Sequence, residues 1–181
     1  MRRHLILLVL GIFGVAAICG LFPGSLHSAN ASGIGASAVQ AEDAAAIRVE
    51  KAARRLLLLD ATGVVLRRFD GIQLGDAPQG HKRFEGDERT PEGRYVIDHG
   101  NPQSAYHLSL HISYPNAADK DFAESQGKSP GGQIFIHGQP NWIKIGRVPG
   151  DWTDGCIALS NEEIEELWSL VGDGTPIEIV S

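Results

Sequence analysis

Gln133-Ile134-Phe135-Ile136-His137-Gly138 and, beyond a long loop, Thr153-Asp154-Gly155-Cys156-Ile157-Ala158 are the stretches that decide how this chain is read. The first has the composition of a short apolar strand ending on a histidine. The second sets a cysteine behind a glycine, where the missing side chain lets backbone amides and a ligand come close. A histidine beside a thiol lowers its pKa from about 8.5 into a range of about 3.5–7.5. His137 is placed to do this if the intervening loop folds back. On chemistry alone Cys156 is open to three readings: a nucleophile with His137 as base, a cysteine packed as a small hydrophobe, or a metal ligand.

With 181 residues, 43% hydrophobic and 21% charged, the chain suffices for one domain with a real core. The N-terminus stands apart from that core. Arg2 and Arg3 precede the apolar run Leu5 to Phe22, and Ala29-Asn30-Ala31 follows. This basic, apolar, small order reads as a secretory signal peptide over residues 1–31. The run is also about as long as a minimal membrane span, so an N-terminal inner-membrane anchor is the alternative. Either reading puts the rest of the chain outside the cytoplasm. Residues 32–46, rich in Ala, Ser and Gly, read as a flexible linker, and 47–181 as the folded domain.

Cys19 lies inside the apolar run, which leaves Cys156 as the single thiol of the exported part. That is unusual, because oxidising compartments favour even cysteine counts. The formal net charge is −6, and it becomes more negative without residues 1–41, which hold two arginines and no acid. Such a balance excludes a basic footprint for nucleic acid or anionic lipid, and points to a small, neutral or zwitterionic substrate.

Away from the two motifs the pattern is mainly that of strands. Leu56 to Leu59, the turn Asp60-Ala61-Thr62-Gly63, and Val64 to Leu66 read as a hairpin. Leu74 to Gly93 is polar and turn-rich, and Arg94 to Asp98 returns to strand composition. Tyr106 to Tyr114 alternates, with Leu108, Leu110, Ile112 and Tyr114 on one face and His107, Ser109, His111 and Ser113 on the other. Asn116 to Gly132 reads as a loop or short helix, and 138–152 as a long loop over the site. Ser160 and Glu163 form a capping box for a helix with Ile164, Leu167, Trp168 and Val171 on its apolar side. Gly172 and Gly174 stop it, and Ile177 to Val180 supplies a last strand. The sum is a mostly β domain with few short helices.

His107 and His111 have the i, i+4 spacing of helical zinc sites. Their segment is a strand, however, and no acid follows the first histidine as in H-E-x-x-H. They are open to lining a substrate cleft or facing solvent. Trp142 and Trp152 flank the loop between the motifs, either as a satellite core or as walls for a peptide or sugar. Lys82, Arg83, Arg89, Lys144 and Arg147 are cations for substrate carboxylates, or solvated surface charges.

Thr90-Pro91-Glu92-Gly93, Tyr106-His107-Leu108-Ser109-Leu110, Tyr114-Pro115-Asn116, His137-Gly138 and Thr153-Asp154-Gly155-Cys156-Ile157-Ala158 together resemble the L,D-transpeptidase catalytic domain family, also called YkuD-like. The likeness covers about residues 47–181, with the motifs in the family's order. Its most specific element is H-G followed, after a long loop, by S/T-x-G-C. The family usually reads S-H-G-C, then Ile or Val, then Arg or Asn. Here Asp154 stands at the common histidine and Ala158 at the common arginine or asparagine, as in a proteobacterial side branch that includes hydrolytic members.

The resemblance implies a mixed-sheet β-sandwich or open barrel, and a periplasmic enzyme acting on peptidoglycan stem peptides in cell-wall remodelling and cell shape. On this reading Cys156 is the nucleophile, His137 the general base, and the Gly138 carbonyl orients that base. Backbone N–H groups of Gly155, Cys156 and Asp154 are the oxyanion-hole candidates, and His107, Trp142, Arg147 and Trp152 the substrate-binding candidates. No metal or organic cofactor is needed. An amine of a neighbouring stem, or a protein lysine such as that of an outer-membrane lipoprotein, resolves the thioester. Water in its place gives an L,D-carboxypeptidase or amidase, and a non-catalytic wall-binding module is the remaining alternative.

Overall fold

A computed structural model describes residues 44–181. The expected signal peptide or anchor lies outside the described residues, as does most of the expected linker. Among the described residues no helix is long and apolar enough to cross a membrane. The elements are β1 (Ala46–Glu50), β2 (Arg55–Leu59), β3 (Val65–Asp70), β4 (Gly93–Ser104), β5 (His107–Ile112), α1 (Ala117–Ser125), β6 (Ile134–His137), β7 (Ile157–Ala158), α2 (Asn161–Leu170) and β8 (Pro176–Val180). Eight strands make one mixed sheet in the order β3-β2-β1-β8-β4-β5-β6-β7. The expected mostly β fold with few short helices is what the chain adopts.

Local chemistry explains the first hairpin. Asp60 Oδ1 accepts from the N–H groups of Thr62 at 2.8 Å and Val64 at 2.9 Å, and Gly63 takes φ +85° to close the turn. The last strand of the chain sits in the middle of the sheet. β8 runs parallel to β1 and antiparallel to β4, and its Ile177 and Ile179 are buried. The two ends of the sheet also meet. Gln73, just past β3, exchanges backbone hydrogen bonds of 3.0 and 2.8 Å with Ala158 of β7. The sheet therefore curls into an open barrel around one apolar cluster that includes Leu58, Ile97, Ile112, Ile136, Ile157 and Ile179.

β4 runs well past the expected Asp98. Residues 99–104 are too polar to signal a strand, but they pair with β5 through register shifts at Ile97/His99 and Asn101/Ser104. The hairpin closes at Ser104 and His107, with Tyr106 at its tip. On the polar face of β5 Ser109 is buried, while His107 and His111 are partly buried. The segment left open as loop or helix forms α1, capped by Asn116 and Asp119 in a reciprocal box. α2 begins as expected: Ser160 Oγ accepts from Glu163 N–H at 3.2 Å, and Glu163 Oε2 from Ser160 N–H at 2.8 Å. Its Ile164 and Leu167 are fully buried.

The turn-rich segment before β4 is pinned by a buried cation. Lys51 Nζ reaches from the end of β1 to Glu92 Oε1 at 2.9 Å and to the Thr90 carbonyl at 3.0 Å. Asp87 organises the stretch from within, accepting from Phe84 N–H at 3.0 Å and from Lys82 Nζ at 2.9 Å.

Candidate active site

β6 and β7 run parallel, with Ile136 opposite Ile157 and His137 opposite Ala158. Alternation sends Ile134, Ile136 and Ile157 into the core, and Phe135 and His137 to the other face. Cys156, immediately before β7, comes up beside Phe135, whose N–H lies 3.4 Å from Sγ. The loop between the motifs thus folds back. Cys156 and His137 line one cleft of about 800 Å³ together with Tyr106, Trp152, Lys82 and Glu88.

The residues ahead of the thiol are chosen by backbone geometry. Thr153 Oγ1 accepts from Gly155 N–H at 3.3 Å and donates to the Cys156 carbonyl at 2.7 Å. Gly155 has φ +120°, and a Cβ there would come 2.5 Å from the Arg89 carbonyl oxygen. Only glycine fits both demands. Because its N–H is held by Thr153, Gly155 is poorly placed for the expected oxyanion hole, and Cys156 and Asp154 remain as backbone candidates.

His137 is buried and fixed by one short contact, Nδ1 to the Gly138 carbonyl at 2.7 Å. A carbonyl only accepts, so Nδ1 carries the proton and Nε2 keeps its lone pair. The ring lies 4.6 Å from that of Tyr106 and 5.6 Å from that of Trp152. A side chain at Gly138 would force its neighbours to shift, because a Cβ would fall 2.7 Å from Asn161 Oδ1 and 3.0 Å from His107 and Ile164. Burial pushes the His137 pKa down to about 4 against the hydrogen bond to Gly138. Burial also pushes the Cys156 thiol up to about 11; the Phe135 N–H opposes that rise and the Asp154 charge adds to it. The expected depression of the thiol pKa is therefore reversed, and the resting pair is neutral.

Of the four expected substrate-binding side chains, Trp152 alone lines this cleft. Its Nε1 is buried and has no hydrogen-bond partner among the described residues. His107, held at φ +69°, turns its Nε2 to Glu165 of α2 at 2.6 Å. Arg147 is paired with Glu163, the acid that also caps α2, and donates a hydrogen bond to the Gly71 carbonyl. Trp142 is 75% exposed on the loop. His111 and His107 part company, for His111 meets Asp98 instead.

Sequence reasoning passed over Gln139 and Tyr106. Gln139 is fully buried and ties the loop to the barrel seam: its Nε2 reaches the Leu159 carbonyl at 2.6 Å and Gln73 Oε1 at 3.1 Å, while its Oε1 accepts from Val148 N–H at 2.9 Å. A polar residue directly after His137-Gly138 was the available signal. Ala158 is fully buried at the same seam, where a long polar side chain would have no room.

A thiol and a singly protonated imidazole facing one cleft supply the parts of a cysteine-dependent acyl-transfer site. The family narrows that class. A model of the L,D-transpeptidase catalytic domain (YkuD) matches residues 44–179, and the chain belongs to this family. Among solved structures it is similar to the helical cell shape determining protein Pgp2 from Campylobacter jejuni, at 30% identity and a TM-score of 0.61, over 75% of this chain and 47% of that one. It is also similar to Bd1075 from Bdellovibrio bacteriovorus, at 26% identity and a TM-score of 0.55, over 77% of this chain and 49% of that one. The chain thus spans about half the length of each. No curated protein sequence matches it.

Proposed function

We propose that this protein is a peptidoglycan-modifying cysteine L,D-transpeptidase that works in the periplasm and remodels the cell wall in a way that affects cell shape. The observation that carries this reading is the meeting of Cys156 and His137 on one cleft, with His137 oriented by the Gly138 carbonyl. Membership of the family supplies peptidoglycan as substrate, and the likeness to a cell shape determining protein supports the physiological role.

In the proposed reaction the thiol proton passes to His137 Nε2 as Sγ attacks the carbonyl of an L-centre, such as diaminopimelate, in the donor stem. Since burial puts the thiol pKa at about 11 and that of the imidazole at about 4, this transfer accompanies the attack rather than preceding it. Backbone N–H groups at Cys156 and Asp154 stabilise the oxyanion, each such donor being worth roughly 10²–10³ in rate. The C–N bond to the terminal D-alanine breaks, its amine takes the proton from His137, and a thioester remains on Cys156. An acceptor amine attacks the thioester, loses its proton to His137, and displaces the thiolate, which recovers that proton. Glu85, Glu88 and Asp154 on the cleft attract the acceptor as its ammonium ion, which gives up one proton to solvent before the free amine attacks.

Mass spectrometry of muropeptides from treated sacculi is the test. New stem dimers are expected, and Cys156→Ala should form none. Shortened stems or freed wall-bound protein would replace transfer by hydrolysis on the same site. Undiminished turnover by Cys156→Ala would overturn the nucleophile itself.

A further inference from the structure

Outside the cleft, three side chains converge on the β4–β5 ladder. Asp98 Oδ1 lies 2.9 Å from His99 Nδ1 and 2.6 Å from His111 Nδ1. Ligand atoms from all three residues fall within 4.8 Å of one another. Consecutive strand residues normally point to opposite faces. Asp98 and His99 share a side because the register slips between Ile97 and His99, a bulge of the kind that re-aims a side chain. His99 then stands opposite His111 in the ladder, with the rings stacked at 4.6 Å, and Phe135 stands edge-on to both. The His111 ring is nearly covered, and its Nε2 has no partner among the described residues.

We propose that Asp98, His99 and His111 form a binding site for a divalent first-row transition ion of the zinc class, separate from the cleft of Cys156 and His137. Two imidazoles and one carboxylate are a donor set that suits such ions. Zinc holds nitrogen and oxygen ligands tetrahedrally at about 2.0–2.2 Å, which puts neighbouring donors on one ion about 3.4 Å apart. The Asp98–His99 and Asp98–His111 spacings of 2.9 and 2.6 Å are shorter than that, so the three side chains move slightly apart to admit the ion. His99 and Asp98 are 56% and 39% exposed, which leaves an entry path and room for water in the remaining positions. The rival reading is a hydrogen-bonded triad that takes no ion.

Calorimetric titration of the chelator-stripped, untagged full chain with Zn²⁺ separates the two. One ion per chain is expected, and it should persist in Cys156→Ala, which removes the cleft thiol as a competing ligand. His99→Ala and His111→Ala should each weaken the affinity at least about tenfold. His99 is exposed, so its variant decides the question even if His111→Ala folds poorly. Wild-type affinity in His99→Ala, or no stoichiometric Zn²⁺ in the wild type, would overturn the site.

Discussion

Cys156 and His137 are each held in the uncharged form by burial, which raises the thiol pKa and lowers that of the imidazole. With the thiol near about 11, the thiolate fraction is small at neutral pH and grows about tenfold per pH unit. Alkylation of the folded protein by iodoacetamide is therefore expected to climb steadily from pH 7 to 10; a plateau near neutrality would mean a resting ion pair instead. His137 gives a second readout. Its folded pKa of about 4 lies below the unfolded value of about 6.5, so its contribution to stability is present above about 6.5 and is lost as pH falls through about 4. Between those limits wild type should lose about 3 kcal/mol more than His137→Gln in urea unfolding, and equal losses would refute the burial argument. The motif residues were legible in the sequence because each job is local: His137 is oriented by the very next carbonyl, and Gly155 answers to its own φ. The sense of the His137 shift was not, because the Tyr106 and Trp152 rings packed on it arrive from other segments. Likewise the acids that claim His107 and Arg147 both come from α2, far along the chain.

At the scale of elements, the legible parts are those whose partners lie within four residues. The Asp60 turn and the Ser160–Glu163 box were read from spacing alone, and both are present. β7 was not, since two residues show no period, and the polar end of β4 becomes strand only through pairing with β5. The same division governs what a substitution costs. Ser160→Ala removes the acceptor for Glu163 N–H and should destabilise the domain by about 1 kcal/mol in chemical unfolding. Gln139→Ala removes a fully buried amide that serves the loop, the seam and the Leu159 carbonyl together. Leaving those groups unpaired should cost more, about 2–3 kcal/mol, and should expose the 139–152 loop to limited proteolysis. A Gln139→Ala loop as resistant as wild type would show that the loop is held without this amide.

For the whole molecule, the placing of β8 matters most. The last strand in sequence joins the N-terminal hairpin strands to the β4–β7 region that carries the site, by parallel pairing with β1 and antiparallel pairing with β4. Nothing in the segment Ile177 to Val180 announces that position, because an edge strand and a central strand of this length look alike in composition. The consequence is cooperativity: the two halves of the sheet should unfold together. Ile179 is 1% exposed and lies in the shared core, so Ile179→Ala should cost about 2–5 kcal/mol. Trp142, Trp152 and Trp168 all belong to the C-terminal part of the chain and report on it by fluorescence, whereas far-UV circular dichroism reports on every strand. In the variant both signals are expected to shift to the same lower denaturant midpoint, with an unchanged slope. If circular dichroism fell first while fluorescence kept its wild-type midpoint, the hairpin strands would be a separate folding unit, and β8 would not be what couples them to the site.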